Sequence, residues 1–180
     1  LGRYRIVERL GQGGMAEVYK AYQPSLDRFV ALKLIKTAAV DDAEYRARFE
    51  VEAKSAAALH HPNIVQIYDF DVDMASGHPY MVMEFIEGDT LADHLKKCLG
   101  VESALAFGQV DRIISDVGEA LDYAHQHGVI HRDVKPSNIM WSSSAPFASR
   151  RLILTDFGLA KIMSRADISQ VGAAVGTPDY

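Results

Sequence analysis

His131-Arg132-Asp133-Val134-Lys135-Pro136-Ser137-Asn138, followed further along by Asp156-Phe157-Gly158, is the stretch on which the fold and the chemistry turn. Asp156 and Asn138 offer hard oxygen donors of the kind magnesium takes while it keeps water and phosphate ligands. Asp133 is then left to act on a hydroxyl. Lys135, two residues on, places a positive charge where negative charge develops on a phosphoryl group in transit. A plain polar loop with a turn at Phe157-Gly158 would not require this ordered set.

Working back from that stretch, Val110, Ile113, Ile114, Val117, Leu121 and Ala124 recur at helical spacing and stop at His127-Gly128, which predicts one main helix. Leu91 to Leu99 reads as a shorter helix after a linker-like Glu87-Gly88-Asp89-Thr90. Short apolar runs at Ile139 to Trp141 and Leu152 to Leu154 follow the main helix, separated by a Ser/Ala/Pro loop. Nearer the start the pattern is of strands: Tyr4 to Leu10, Glu17 to Tyr22, Phe29 to Ile35, Ile64 to Phe70 and Tyr80 to Phe85. One helix, Asp41 to Leu59, interrupts them, with Tyr45, Phe49, Ala56 and Leu59 on its apolar side. The expectation is an α+β fold of two lobes, a five-stranded antiparallel lobe with one helix followed by a helical lobe.

Glu52 falls on that apolar side, three residues after Phe49, and Lys33 is embedded in the strand Val30-Ala31-Leu32-Lys33-Leu34-Ile35. A carboxylate and an ammonium, each out of place by pattern, account for one another as a pair. A buried pair is weak evidence for stability, so it suggests positioning instead. The alternative is that both side chains extend to solvent. Gly11-Gln12-Gly13-Gly14-Met15-Ala16 lies between two strands, where backbone N–H groups can approach phosphate oxygens closely. It is neither a dinucleotide fingerprint nor a Walker loop, since strand rather than helix follows and the Gly-Lys-Ser/Thr ending is absent. A loop covering phosphates from a hairpin and a simple turn both remain open from these residues.

Bulk composition excludes several classes. The 180 residues are 48% apolar, enough for a real core, and 19 basic against 24 acidic residues give a net charge of -5, which offers no footprint for nucleic acid or an anionic membrane. Cys98 is the single cysteine, so no intrachain disulfide and no zinc cluster is expected, in keeping with a reducing, cytoplasmic location. No apolar run is long enough to span a bilayer and no signal peptide opens the chain. Leu1 and Tyr180 both read as the ends of a segment cut from a longer chain, which could carry a membrane anchor elsewhere.

These motifs together resemble those of protein kinases, over essentially all 180 residues. The resemblance implies a protein-kinase-like two-lobe fold: an ATP-binding lobe at 1–83, a hinge at 84–88, and a partial, helical catalytic lobe at 89–180 that stops before the family's Ala-Pro-Glu segment. It implies that Gly11 to Val18 covers the ATP phosphates, that Lys33 contacts the α- and β-phosphates, and that Glu52 holds Lys33. Asp133 would be the catalytic base, assisted by Lys135, with Asn138 and Asp156 on magnesium or, as an alternative ion, manganese. Met83 precedes the Glu84 to Ile86 linker, whose backbone would bond adenine. Leu10, Gly11, Gly13 and Val18 border the nucleotide, and Val18, Ala31 and Met140 would sandwich its ring.

Lys135, together with Thr177 in Gly176-Thr177-Pro178-Asp179-Tyr180, looks like serine/threonine specificity. The loop sequence through Val18-Tyr19 and His61-Pro62-Asn63-Ile64-Val65 is similar to the eukaryotic-like serine/threonine kinases of bacteria. Ala16 departs from the third loop glycine but adds only a methyl. Arg132 is expected to clamp a phosphate on Ser164, Ser169 or Thr177, with Ser169 the preferred activating site and Thr177 supporting Asp133 and Lys135. The implied partners are a protein substrate and a dimer that phosphorylates itself in trans, with no nucleic acid and no membrane span in this chain. A nucleotide-binding pseudokinase and an antibiotic-phosphotransferase-like small-molecule kinase are the competing readings. Intact Lys33, Asp133 and Asp156 argue against the first, and Arg132 with Lys135 against the second.

Overall fold

The computed structural model describes residues 2–13, 16–36, 43–98, 105–142 and 151–157. Leu1, Gly14, Met15, Asp41, Asp42, Leu99, Gly158, Ser164, Ser169, Thr177 and the rest of 176–180, all singled out above, lie outside the described residues. Two compact units are present, one drawn from 2–58 and 66–85, the other from 59–65 and 86–157.

The first unit is an antiparallel sheet in the order β1-β2-β3-β5-β4, formed by β1 (Arg5–Gln12), β2 (Ala16–Gln23), β3 (Arg28–Ile35), β4 (Ile67–Val72) and β5 (Pro79–Glu84). The β2-β3 turn is a single 3-10 turn at Pro24–Leu26, closed by Asp27 at φ 47. Proline presets the first turn position, and aspartate is among the few residues that tolerate left-handed backbone. Tyr4, Ala21, Val30, Leu32, Tyr80 and Val82 bury one face of this sheet.

The opposite face carries α1 (Ala43–Ala57), and strand register shows how. Val18 stands opposite Lys33, Lys33 opposite Met81, and Met81 opposite Phe70, so these four side chains share one cross-strand row. Phe49 of α1 packs edge-on against Phe70, with ring centroids 6.1 Å apart. Glu52, three residues beyond Phe49, lies on that same side of the helix. Tyr45, Phe49, Ala53 and Ala56 are its buried positions.

One expected strand is corrected. Ile64 to Phe70 is not continuous: β4 begins at Ile67, and Ile64 forms an isolated parallel bridge to Leu154 in the second unit. The bridge diverts the chain before pairing with β5 starts. A second departure is β6 (Gly88–Thr90), a strand where a linker was expected. Three residues with a glycine carry almost no strand signal of their own, and pairing with β7 (Ile139–Ser142) creates the strand.

In the second unit β6, β7 and β8 (Leu152–Leu154) form a small antiparallel sheet. Leu152, Ile153 and Leu154 are all fully buried, which is why β8 reads as a continuous apolar run rather than an alternating one. Alongside stand α2 (Leu91–Cys98) and α3 (Phe107–Gln126). The latter ends at Gly128, φ 75, where the N–H of Val129 donates to Ala124 O at 2.9 Å and that of Gly128 to His125 O at 2.9 Å. Only glycine adopts that backbone at no steric cost. The apolar stripe of α3 is buried through Val117, Ala120 and Ala124, whereas Val110 and Ile114 are exposed.

Candidate active site

The expected site residues fall in both units. In the first, Val18, Lys33 and Met81 form one row, and Lys20, Ala31 and Met83 form the next, Lys20 opposite Ala31 and Ala31 opposite Met83. Expected nucleotide contacts Val18, Ala31, Lys33 and Met83 therefore share a single face. Lys33 is 7% exposed, so its ammonium does not extend to solvent, and Glu52 is half-buried. The Glu84 N–H is engaged by Gln66 O at 2.8 Å, so a ring contact at that residue would use its carbonyl.

The glycine-rich turn is closed by the Gly13 N–H donating to Ala16 O at 2.8 Å. A Cβ added to Gly11 would meet nothing within 4 Å, and one at Gly13 only Ala16 O at 3.8 Å, with no left-handed φ at either position. Gly11 lies at a register irregularity of the β1–β2 pair, and both glycines leave room for a group to approach from outside. Leu10 is 46% exposed beside them.

In the second unit Asp133, Lys135 and Asn138 converge. Lys135 adopts extended backbone, φ -156, as a residue preceding proline tends to, and Pro136 opens a 3-10 turn ending at Asn138. This turn folds Asn138 back on Asp133: its Nδ2 donates to the Asp133 carbonyl at 2.8 Å and to Oδ2 at 3.0 Å. Since both bonds need N–H donors, the amide nitrogen is committed to Asp133 and the amide oxygen is turned elsewhere. Lys135 Nζ lies 2.9 Å from the same Oδ2. The pair is partly exposed, and ion pairs of that kind add little stability.

Two residues outside the expected set hold this arrangement. Thr155 donates its N–H (2.8 Å) and Oγ1 (3.1 Å) to Asn138 O, pinning the residue before Asp156 to the turn. His131, 1% exposed, has Nε2 at 2.7 Å from Thr155 O and Nδ1 at 3.2 Å from the Asp133 N–H. A carbonyl can only accept and an N–H only donate, so His131 is the Nε2–H tautomer with Nδ1 bare. Its ring packs on Phe157, centroids 4.5 Å apart. The available signals were a histidine and a threonine inside otherwise functional motifs. Both hold the positions of Asp133 and Asn138 through these bonds.

Burial pushes the His131 imidazole below its ordinary value of 6.5, because a charged ring is poorly solvated there. The folded pKa is thus below the unfolded one. As pH falls through about 6.5 the unfolded chain gains a proton that the folded chain refuses, and stability drops. Unfolding free energies from denaturant melts should therefore decline between pH 7.5 and 5.5 more steeply in the parent than in His131→Gln, by up to about 1.4 kcal/mol per pH unit for one proton. Equal slopes would show that His131 is not buried neutral.

Arg132 and Asp156 both have left-handed backbone, φ 68 and φ 69. Each such non-glycine residue costs on the order of 1–3 kcal/mol, and such strain gathers at functional sites. Asn138 and Asp156 flank the Thr155 pin, and their oxygens suit magnesium, whose remaining positions go to water and phosphate. Met140, on β7 in this unit, is half-buried.

The protein kinase domain model matches residues 4–180. A probable serine/threonine-protein kinase PknB of Bifidobacterium longum is 38% identical over 99% of this chain and 26% of its own length. The serine/threonine-protein kinase PknB of Mycobacterium leprae is 39% identical over 99% and 28%. This chain thus spans between a quarter and a third of the length of these curated relatives. Among solved structures, a double mutant of the Mycobacterium tuberculosis PknI kinase domain is 34% identical with TM-score 0.76, covering 88% of this chain and 61% of that one. The chain belongs to the protein kinase domain family, and its relatives are bacterial serine/threonine kinases.

Proposed function

We propose that this chain is the nucleotide-binding and catalytic part of an ATP-dependent serine/threonine protein kinase. The observation that carries the reading is the Asp133-Lys135-Asn138 cluster, locked by His131 and Thr155 beside Asp156. Lys33, braced by Glu52, binds the α- and β-phosphates, while Gly11 and Gly13 leave room above them. Val18, Ala31, Met83 and Met140 contact the adenine, and the Glu84 to Ile86 backbone bonds it, with Leu10 at the edge. Residues 1–83, 84–88 and 89–180 then serve as nucleotide lobe, hinge and partial catalytic lobe.

Asn138 and Asp156 would hold magnesium, with manganese as the alternative, and the ion would supply charge neutralisation on the phosphates. Asp133 orients the acceptor hydroxyl in line with the γ-phosphate and takes its proton. Lys135 steadies the charge that develops on the transferred group. Little covalent chemistry falls to the protein, so positioning dominates. No described helix is long and apolar enough to cross a membrane, and a cytoplasmic site of action fits the single cysteine. Arg132 and Ser169 belong to regulation: phosphate on Ser169, added in trans by a second copy, would be clamped by Arg132.

Labelled ATP offered together with a serine/threonine peptide and an aminoglycoside tests the whole reading. The expected product is phosphoserine or phosphothreonine on the peptide and on Ser169. Label on the aminoglycoside alone overturns the protein-kinase assignment, and active protein unmodified at Ser169 removes the regulatory one.

A further inference from the structure

Lys20 occupies a position that none of the expected contacts uses. It stands in the same cross-strand row as Ala31 and Met83, and opposite Glu8 of β1. Its ammonium lies 4.8 Å from the centroid of the Phe29 ring on β3 and 4.6 Å from that of Phe85, immediately after β5. Glu8 Oε1 is 3.8 Å away. Three elements of the first unit, β1, β3 and the end of β5, thus meet at one cation.

An ammonium between two aromatic faces is attracted by both ring quadrupoles, and partial burial strengthens the effect. The Lys20 side chain is 22% exposed, whereas Phe29 is 50% exposed. The Phe29 ring also packs on Tyr22, centroids 5.5 Å apart, and the Lys20 cation links it to the Phe85 ring. Phe85 follows Glu84, whose N–H is already tied to Gln66 O. Fixing the Phe85 ring as well fixes the peptide between them on both sides.

We propose that Lys20 is a positioning residue for nucleotide affinity: clamped between Phe29 and Phe85 and paired with Glu8, it holds the chain at Glu84-Phe85 in its ATP-binding conformation. The proposal rests on the nucleotide-binding reading of the Ala31-Met83 row. Lys20 does not touch the nucleotide. It raises the fraction of molecules whose binding segment is already in place, and apparent affinity scales with that fraction. Chemistry at Asp133 is unaffected, so the signature is a change in ATP affinity without a change in turnover at saturation.

The test is a double-mutant cycle in the full-length protein with Lys20→Met, Phe85→Leu and both together, with Lys33→Met as control. Lys20→Met should raise the Kd and KM for Mg-ATP about three- to tenfold, on the scale of two cation–ring contacts. The kcat at saturating ATP and the KM for peptide should stay within about twofold. Since Lys20 acts through Phe85, the double variant should lose no more than the larger single loss, and Lys20→Arg should recover most of the affinity. Additive losses, or an unchanged Kd in Lys20→Met while Lys33→Met loses binding, overturn the clamp alone. A parent protein that binds no Mg-ATP overturns the nucleotide reading and the clamp with it.

Discussion

Replacing Asp133 by Asn should lower turnover about 10²- to 10⁴-fold, the usual contribution of a general base, while Mg-ATP affinity stays within about twofold. Asparagine is isosteric, and its amide oxygen can still accept from Asn138 Nδ2, which donates at 3.0 Å to Oδ2 in the parent. The backbone half of that lock, Asn138 Nδ2 to Asp133 O at 2.8 Å, is untouched. What the variant loses is a proton acceptor and the negative partner of Lys135 Nζ. Lys33 and the glycine turn belong to the other unit and keep their own surroundings, so nucleotide binding should persist. Rapid-quench turnover with a peptide acceptor, alongside an equilibrium ATP titration, measures both arms. Turnover like the parent's would end the assignment of Asp133.

That prediction rests on residues legible from sequence, and the reason is specific. The roles proposed for Asp133, Lys135, Asn138 and Asp156 depend on charge and donor type, which residue identity states outright. The sheet was legible for a related reason: Val30 to Ile35 and Tyr80 to Phe85 are long enough, and apolar enough, to declare themselves strands. What escaped depends on partners remote in sequence. Gly88–Thr90 becomes a strand only because Ser142, Trp141 and Met140 lie opposite it. Ile64 leaves the expected strand because Leu154 captures it. His131 and Thr155 look like ordinary members of polar loops until their bonds to one another and to Asn138 appear. Lys20 reads as one exposed lysine of a strand until Phe29 and Phe85 close around it. Pairwise geometry across dozens of residues leaves no periodic trace in a single chain.

The strained backbone at Asp156 permits a separate experiment, because conformation and ligation can be varied independently there. Asp156→Ala should weaken Mg-ATP binding at least about tenfold, since even residues that only support a ligand typically cost 10- to 100-fold in metal affinity. It also places alanine at φ 69, where a β-carbon without a polar group to compensate is disfavoured by roughly 1–2 kcal/mol. Asp156→Gly removes the carboxylate and the steric cost together. The glycine variant should therefore unfold later than the alanine variant by about 1 kcal/mol, the unfolded chain's greater freedom offsetting part of the gain. Both should lose magnesium-dependent nucleotide binding to the same degree. In each, Phe157 keeps its packing on His131 and Thr155 its bond to Asn138, so the loop stays where it is. Calorimetric titration of Mg-ATP and urea melts on the two variants separate the quantities. If binding instead tracks stability, weak in Asp156→Ala and restored in Asp156→Gly, then the conformation of this residue matters rather than its oxygens, and Asp156 is not a magnesium ligand. Equal loss with unequal stability places its carboxylate on the metal, with the strain as the cost of holding it there.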